Sequence, residues 1–215
     1  AKFTTLSSGT YHTCGLDSDR NAYCWGNNGS GEIGDNTTTQ RKVPKPVNTS
    51  NLTSGAKFIS VVARGSQTCG IDSDGKAYCW GDNTLGNLGD NTTTQRNIPT
   101  LINTSAMSTS ASMVALTVGY QYACGIDSDR KAYCWGGNAN GQLGDNSTSQ
   151  RNIPTLINTT TLSSTGATFI SLAAGYRHTC GIDSDGNAYC WGANTNGKLG
   201  DNTTTQRLVP TLVNT

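Results

Sequence analysis

Residues 69–102 read CGIDSDGKAYCWGDNTLGNLGDNTTTQRNIPTLI, and the first eleven of them decide the fold. Asp74 and Gly75 lie between two short runs, QTCGID (67–72) and KAYCWG (76–81), that are enriched in β-branched and aromatic residues. An Asp-Gly pair supplies the left-handed backbone position that a tight hairpin requires. A turn at 73–75 then sets Cys69 directly opposite Cys79. Residues facing each other in a non-hydrogen-bonded cross-strand pair have Cα atoms about 4.5 Å apart, within reach of a disulfide. Working outward, AKFISVVAR (56–64) precedes the hairpin and NIPTLI (97–102) follows it, each bounded by turn-forming residues. Neither here nor elsewhere does a segment sustain the i, i+3, i+4, i+7 spacing of an amphipathic helix, so the expected fold class is all-β.

The same unit recurs through the chain. Trp-Gly pairs begin at Trp25, Trp80, Trp135 and Trp191, with spacings of 55, 55 and 56 residues over a length of 215. Four units follow, at 1–49, 56–104, 111–159 and 167–215. Each carries one C-x9-C pair: Cys14 with Cys24, Cys69 with Cys79, Cys124 with Cys134, Cys180 with Cys190. Zinc sites favour closer pairs such as C-x2-C and need four ligands converging on one ion. An even cysteine count at constant spacing points instead to one hairpin disulfide per unit, formed in an oxidising compartment. No metal is expected, and the Asp-Ser-Asp tips lack the further oxygen ligands of a calcium loop.

Together with the preceding FISVVARGSQT, this stretch resembles the blade of the regulator of chromosome condensation repeats. The pattern is strand, Gly-x-x-His, hairpin, Trp-Gly-x-Asn, then Gly-x-Leu-Gly. It is carried by Gly9, Gly119 and Gly175, by His12 and His178, by the Trp-Gly pairs, by Asn27, Asn83, Asn138 and Asn194, and by Gly34, Gly89, Gly144 and Gly200. The resemblance covers all four units and implies a β-propeller of four-stranded antiparallel blades, similar to the cysteine-paired exported bacterial versions. Arg64 replaces the Gly in unit two, and Gln67 and Tyr122 replace the His, so the two histidines form no shared centre. Propellers of the resembled family are typically seven-bladed, each blade turning the chain by ~51°, so four blades cover little more than half a circle. Ala1 and Thr215 correspond in phase to Ala56 and Thr49, so another copy can follow in register, making a ring or filament. The chain start reads as either a processed mature chain or an excerpt.

Composition narrows the partners. Charged residues make up 13% of the chain and the net charge is +1, which speaks against nucleic acid as a partner. No apolar run reaches the 18 residues of a membrane helix, and no cofactor motif is present. No catalytic set emerges either: there is no Gly-x-Ser-x-Gly elbow, and the repeated carboxylates sit on hairpin tips. The expected role is that of a non-catalytic extracellular structural or adhesive protein, secreted or at a cell surface, whose partners are copies of itself or another extracellular protein. The resemblance adds two alternatives: a soluble protein-binding or enzyme-inhibiting propeller, and the namesake's guanine-nucleotide exchange with chromatin binding.

Candidate site residues fall where the units differ and where they agree. The turns between the first two strands vary, offering Tyr11, Arg64, Tyr120, Gln121, Tyr122, Tyr176 and Arg177 as a binding surface rich in side chains that anchor interfaces. The phrase GDNTTTQR (34–41) recurs with little change, pairing Asp35 with Arg41, Asp90 with Arg96, Asp145 with Arg151 and Asp201 with Arg207, either within the loop or as a stitch to the next blade. Thr37, Thr38 and Thr39 offer O-glycosylation sites, and Asn36, Asn91, Asn146 and Asn202 are sequons. The tryptophans are expected between neighbouring sheets.

Overall fold

The computed structural model describes residues 2–108 and 110–214; Ala1 and Thr215, the two ends placed in phase above, lie outside the described residues. Among the described residues, sixteen strands form four sheets. The first unit holds β1 (Phe3–Ser8), β2 (His12–Asp17), β3 (Ala22–Gly26) and β4 (Arg41–Pro46), and the second β5 (Phe58–Arg64), β6 (Gln67–Asp72), β7 (Ala77–Gly81) and β8 (Arg96–Leu101). The third holds β9 (Met113–Val118), β10 (Tyr122–Asp127), β11 (Ala132–Gly136) and β12 (Arg151–Leu156), and the fourth β13 (Phe169–Ala174), β14 (His178–Asp183), β15 (Ala188–Gly192) and β16 (Arg207–Leu212). Each unit is one antiparallel blade with its strands in chain order.

The hairpin turn is organised by a carboxylate. Asp72 Oδ1 accepts the backbone N–H groups of Asp74 and Lys76, each at 2.9 Å, and Gly75 takes φ +74°. In blades one and three Arg20 and Arg130 hold the same left-handed position at φ 62°, so the turn outlasts the loss of its glycine. Each pair of cysteines faces across the hairpin and is bonded, with Cα atoms 4.0–4.1 Å apart, near the spacing expected of a non-hydrogen-bonded pair.

Packing between blades follows one rule. The disulfide face of one blade receives the aromatic face of the next: Cys14, Leu16, Ala22, Cys24 and Ile33 of blade one pack with Phe58, Tyr78 and Trp80 of blade two. The second and third joints repeat this, with Trp135 and Trp191 as the inserted rings. Among the described residues nothing packs over the aromatic face of blade one or the disulfide face of blade four, so the four blades form an open arc.

Candidate functional site

The joint between blades is built from the repeated glycine of the GDN phrase. Gly34 has φ +75°, and a Cβ there would lie 2.7 Å from Nε1 of Trp80; Gly89 and Gly144 stand in the same relation to Trp135 and Trp191. A glycine is needed on both counts, conformation and clearance. The indole N–H of Trp80 donates to Glu32 O at 3.0 Å and that of Trp191 to Gln142 O at 3.0 Å. Thr68 and Thr179 hydroxyls donate to the same two carbonyls, at 2.9 and 2.8 Å. Blade three has Ala123 in place of this threonine, and Gln67 Nε2 takes the Asn87 carbonyl instead, at 2.6 Å, which leaves the Trp135 N–H without an acceptor.

The phrase GDNTTTQR resolves into two separate functions. Asp90 and Arg96 join within the loop: Nε and Nη2 both reach Oδ2, at 2.7 and 2.6 Å, while Oδ1 accepts the Thr92 hydroxyl and Asn83 Nδ2. The same ion pair closes at Asp35–Arg41, Asp145–Arg151 and Asp201–Arg207, so these pairs are locks within one blade. Burial pushes the Asp90 carboxyl up, but the Thr92 hydroxyl and the Arg96 guanidinium outweigh it and hold the group below the usual carboxylate range. The stitch to the next blade is the asparagine beside it. Asn36, Asn91 and Asn146 adopt φ of 62–65°, and their N–H groups donate to Asn97 O, Asn152 O and Leu208 O of the following blade. Arg96→Ala should cost about 1.5 to 3 kcal/mol in urea unfolding, the worth of a hydrogen bond to a charged group.

A buried asparagine ties the loop to the sheet. Asn83 Nδ2 donates to Asp90, Thr92 and Thr94 oxygens, and its Oδ1 accepts the Leu88 N–H. In blade one that place belongs to Asn28, three residues beyond Trp25, and the in-phase asparagine named as Asn27 is corrected accordingly. Asn27 instead donates to the Glu32 carboxylate.

The histidine position also works across the joint. His12 Nε2 lies 2.8 Å from the Thr68 hydroxyl, which is itself committed as donor to Glu32 O. The ring therefore donates through Nε2–H and stays neutral, with Nδ1 unpartnered. Burial depresses its pKa to about 4 from 6.5. The unfolded chain then binds a proton that the folded chain refuses between these values, so stability should fall as the pH drops from 6.5 to 4, by about 3 kcal/mol at most. His12→Gln, which installs the residue of blade two, should flatten most of that slope in pH-dependent thermal unfolding. His178, also lowered by burial, contributes in the same direction. Loss from the loop aspartates begins only below their unfolded value of 3.8, a separate window.

At the two ends the same parts lie open. Ile182 of blade four is 43% exposed where Leu16, Ile71 and Ile126 are 2–4% exposed. Phe3 and Leu6 of blade one are 36% and 64% exposed where Phe58 and Val61 are buried, and Trp25 is only half-buried. A hollow of about 800 Å³ lined by Gly197, Gly200, Asn202, Thr203 and Asn214 occupies the place corresponding to the tryptophan slot. The blade count in the sequence already implies uncovered ends, and the structure adds which residues line them.

The variable turns form a second surface. Tyr120 and Tyr176 stack with ring centroids 4.4 Å apart, and the Arg177 guanidinium lies 5.5 Å from the Tyr176 centroid. Gln121, at φ 58°, donates to the Thr84 hydroxyl of blade two at 3.2 Å. Tyr11 is exposed on blade one, separated from the pair by Gly65 and Ser66, and Arg64 is exposed at the end of β5. Tyr122 leaves the expected set: its ring is fully buried between blades, with its hydroxyl donating to His178 O, because it takes the packed histidine position. Asn36, Asn91, Asn146 and Asn202 are exposed, as are Thr38 and Thr39, whereas the Thr37 hydroxyl is engaged by Asp35 and Arg41.

Comparison with known proteins agrees with this geometry. A family model described as the regulator of chromosome condensation (RCC1) repeat matches residues 3–32, 59–87, 113–142 and 169–198, and a second model of the same repeat matches 74–126, 131–182 and 185–215. The chain is 28% identical over 209 residues to the human probable E3 ubiquitin-protein ligase HERC4, covering 97% of this chain and 19% of that protein. It is 30% identical over 196 residues to the Arabidopsis thaliana ultraviolet-B receptor UVR8, covering 91% of this chain and 42% of that one. Among solved structures, human WBSCR16 superposes with a TM-score of 0.87 at 21% identity over 99% of this chain and 53% of its own. Yeast RCC1 (Prp20), solved bound to Kap60, gives 0.80 at 19% identity over 99% and 49%. The chain thus spans about half or less of these relatives, and the ligase match is confined to the repeats. Propellers of this kind are generally protein-binding. With four blades in phase and a repeat model on each, the chain belongs to the regulator of chromosome condensation (RCC1) repeat family.

Proposed function

We propose that this chain is a non-catalytic structural or adhesive repeat protein of an oxidising extracellular setting, secreted or at a cell surface, and that it assembles head to tail into a ring or filament. The observation that carries the reading is the pair of open end faces, each the missing half of a joint that the chain builds three times internally. One disulfide in every blade supports the oxidising setting, because such bonds persist poorly where glutathione keeps thiols reduced. Light scattering from micromolar to millimolar protein tests it: mass rising above one chain is expected, and one-chain mass throughout would overturn the assembly reading.

A second reading, a soluble binder of another protein, is favoured by the stacked Tyr120–Tyr176 pair with Arg177 beside it. Rigid aromatics with an adjacent guanidinium are the side chains that concentrate interface energy. Its test is capture of an extracellular protein that Tyr120→Ala with Tyr176→Ala abolishes. Nucleotide exchange with chromatin binding fits least, since a net charge of +1 offers little to a phosphate backbone. Thr38, Thr39 and the exposed sequon asparagines are the proposed glycan carriers; intact mass equal to the sequence less eight hydrogens would remove them.

A further inference from the structure

We propose that the cleft between blades three and four, beside Arg177, is a binding site for an anionic sugar, a single pyranose ring that carries a carboxylate, as a uronic acid does. The site rests on the adhesive part of the reading above, to which it gives a ligand chemistry, and is independent of head-to-tail assembly.

Two successive joints define it by their difference. At the second joint Gln121, in the turn between β9 and β10, reaches back to blade two, where its Nε2 lies 3.2 Å from the Thr84 hydroxyl and 3.5 Å from Asp82 Oδ2. One repeat further on, the same three positions are Arg177, Ala139 and Gly137. The donor has become a guanidinium, and both of its acceptors are gone. Among the described residues Arg177 makes neither an ion pair nor a hydrogen bond, and only the Tyr176 ring lies against it. Asp82 is held by Thr84 and Gln121 and forms no ion pair with it. What stands in place of the lost contacts is a cleft of about 240 Å³, bordered by Leu85, Tyr120, Asn140, Thr148 and Arg177. At the first joint the corresponding residues are Ser66, Gly29 and Asn27, with no cation among them.

The unmet groups specify the ligand. Arg177 presents a planar fork of donors that matches a carboxylate, the group that Asp82 brings to the preceding joint. Asn140 borders the same cleft, and its Oδ1 is buried without a donor. An amide oxygen left unpaired costs free energy that a ligand hydroxyl recovers. Thr148 adds an exposed hydroxyl, and Leu85 with the edge of Tyr120 adds an apolar wall for the C–H face of a ring. A carboxylate and hydroxyls on one small ring satisfy all of these together. The volume is at the small end of ligand sites, so the cleft takes one ring rather than an oligosaccharide.

The test is titration of the isotope-labelled chain with glucuronate, glucose and acetate, followed by NMR at the Arg177 and Asn140 side chains. Glucuronate should saturate, and glucose and acetate should each bind about 10-fold or more weakly, since each offers only part of the recognised set. Glucuronate affinity should fall with added salt, which screens the carboxylate–guanidinium contact. Arg177→Gln, which installs the residue of blade three, should weaken glucuronate about 10-fold to the level of glucose. Asn140→Ala should weaken glucuronate and leave acetate unchanged. Neither side chain belongs to the packed core, so thermal unfolding of both variants should match wild type and show them folded. Absence of a saturable shift with glucuronate, or binding that Arg177→Gln leaves intact, overturns the site; light scattering then still reads the assembly proposal separately. Acetate as tight as glucuronate overturns the sugar in favour of a bare carboxylate contact. A tetraglutamate peptide that binds more tightly than glucuronate overturns it in favour of an acidic protein partner.

Discussion

Trp80→Ala is expected to cost about 3 to 5 kcal/mol of folding stability, the range for removing a fully buried large aromatic side chain. The ring is completely enclosed, packs 5.6 Å from Phe58, sits beneath Gly34, and donates to Glu32 O. Its loss leaves a cavity between two blades and removes one of the two donors to the Glu32 carbonyl, the Thr68 hydroxyl remaining. Trp25→Ala makes the same chemical change at a half-buried site, with a similar Phe3 contact at 5.6 Å and no overlying blade. It should cost about 1 to 2 kcal/mol in the dilute single chain, since the transfer term shrinks with the area already exposed. The contrast in urea unfolding between two tryptophans of identical local sequence separates the contribution of the joint from that of the blade. Equal losses would mean that the ring serves its own sheet and that the joint contributes little.

Reduction of the four disulfides is the second large effect. Each closes a hairpin with cysteines 10 residues apart, worth about 2 to 3 kcal/mol by loop entropy. Four together come to roughly 10 kcal/mol, comparable with the whole stability of an ordinary domain. The reduced chain should therefore lose cooperative unfolding at ambient temperature, seen by circular dichroism in a phosphine reductant. The order of reduction is also set. Cys180 lies on the open face of blade four, whereas the cysteines of the other three pairs are fully enclosed. Mass spectrometry after timed alkylation should find Cys180 and Cys190 labelled first. Raising the protein concentration should slow that labelling if a second copy covers the face.

How much was legible follows from the range of the interaction concerned. The strands of unit two, the 73–75 turn and the cysteine pairing are local, set by residues within one hairpin, and each lies where the sequence places it. Tyr122 was misplaced because the surface character of a turn was extended one residue into β10, where the side chain faces the next blade. Alternation between faces makes a shift of one residue decisive. Asn28 was missed for Asn27 by a similar slip of phase, since adjacent asparagines hide which one is buried. Asp90 and Arg96 were recognised as a pair, but their role within the loop depends on where the chain turns, and the inter-blade bond of Asn91 is made by a backbone group that no side-chain pattern reveals. Uncovered ends follow from the blade count, but which residues are bared does not: Ile182 and Leu16 occupy the same repeat position, and only the presence of a neighbour distinguishes them.

The central claim is that a tryptophan seated under the glycine of the preceding blade holds the repeats together; the proposed head-to-tail assembly would give Trp25 the same seat. Fluorine NMR of chain labelled with 5-fluorotryptophan gives four resonances, with Trp25 assigned by Trp25→Phe. Three should be narrow, shielded from a paramagnetic quencher and independent of concentration. The Trp25 resonance should be quenched in dilute protein, then move toward the other three and lose its quenching as concentration rises. A Trp25 signal as protected as the rest in the dilute single chain, or one that stays quenched while the chain associates, would contradict the account.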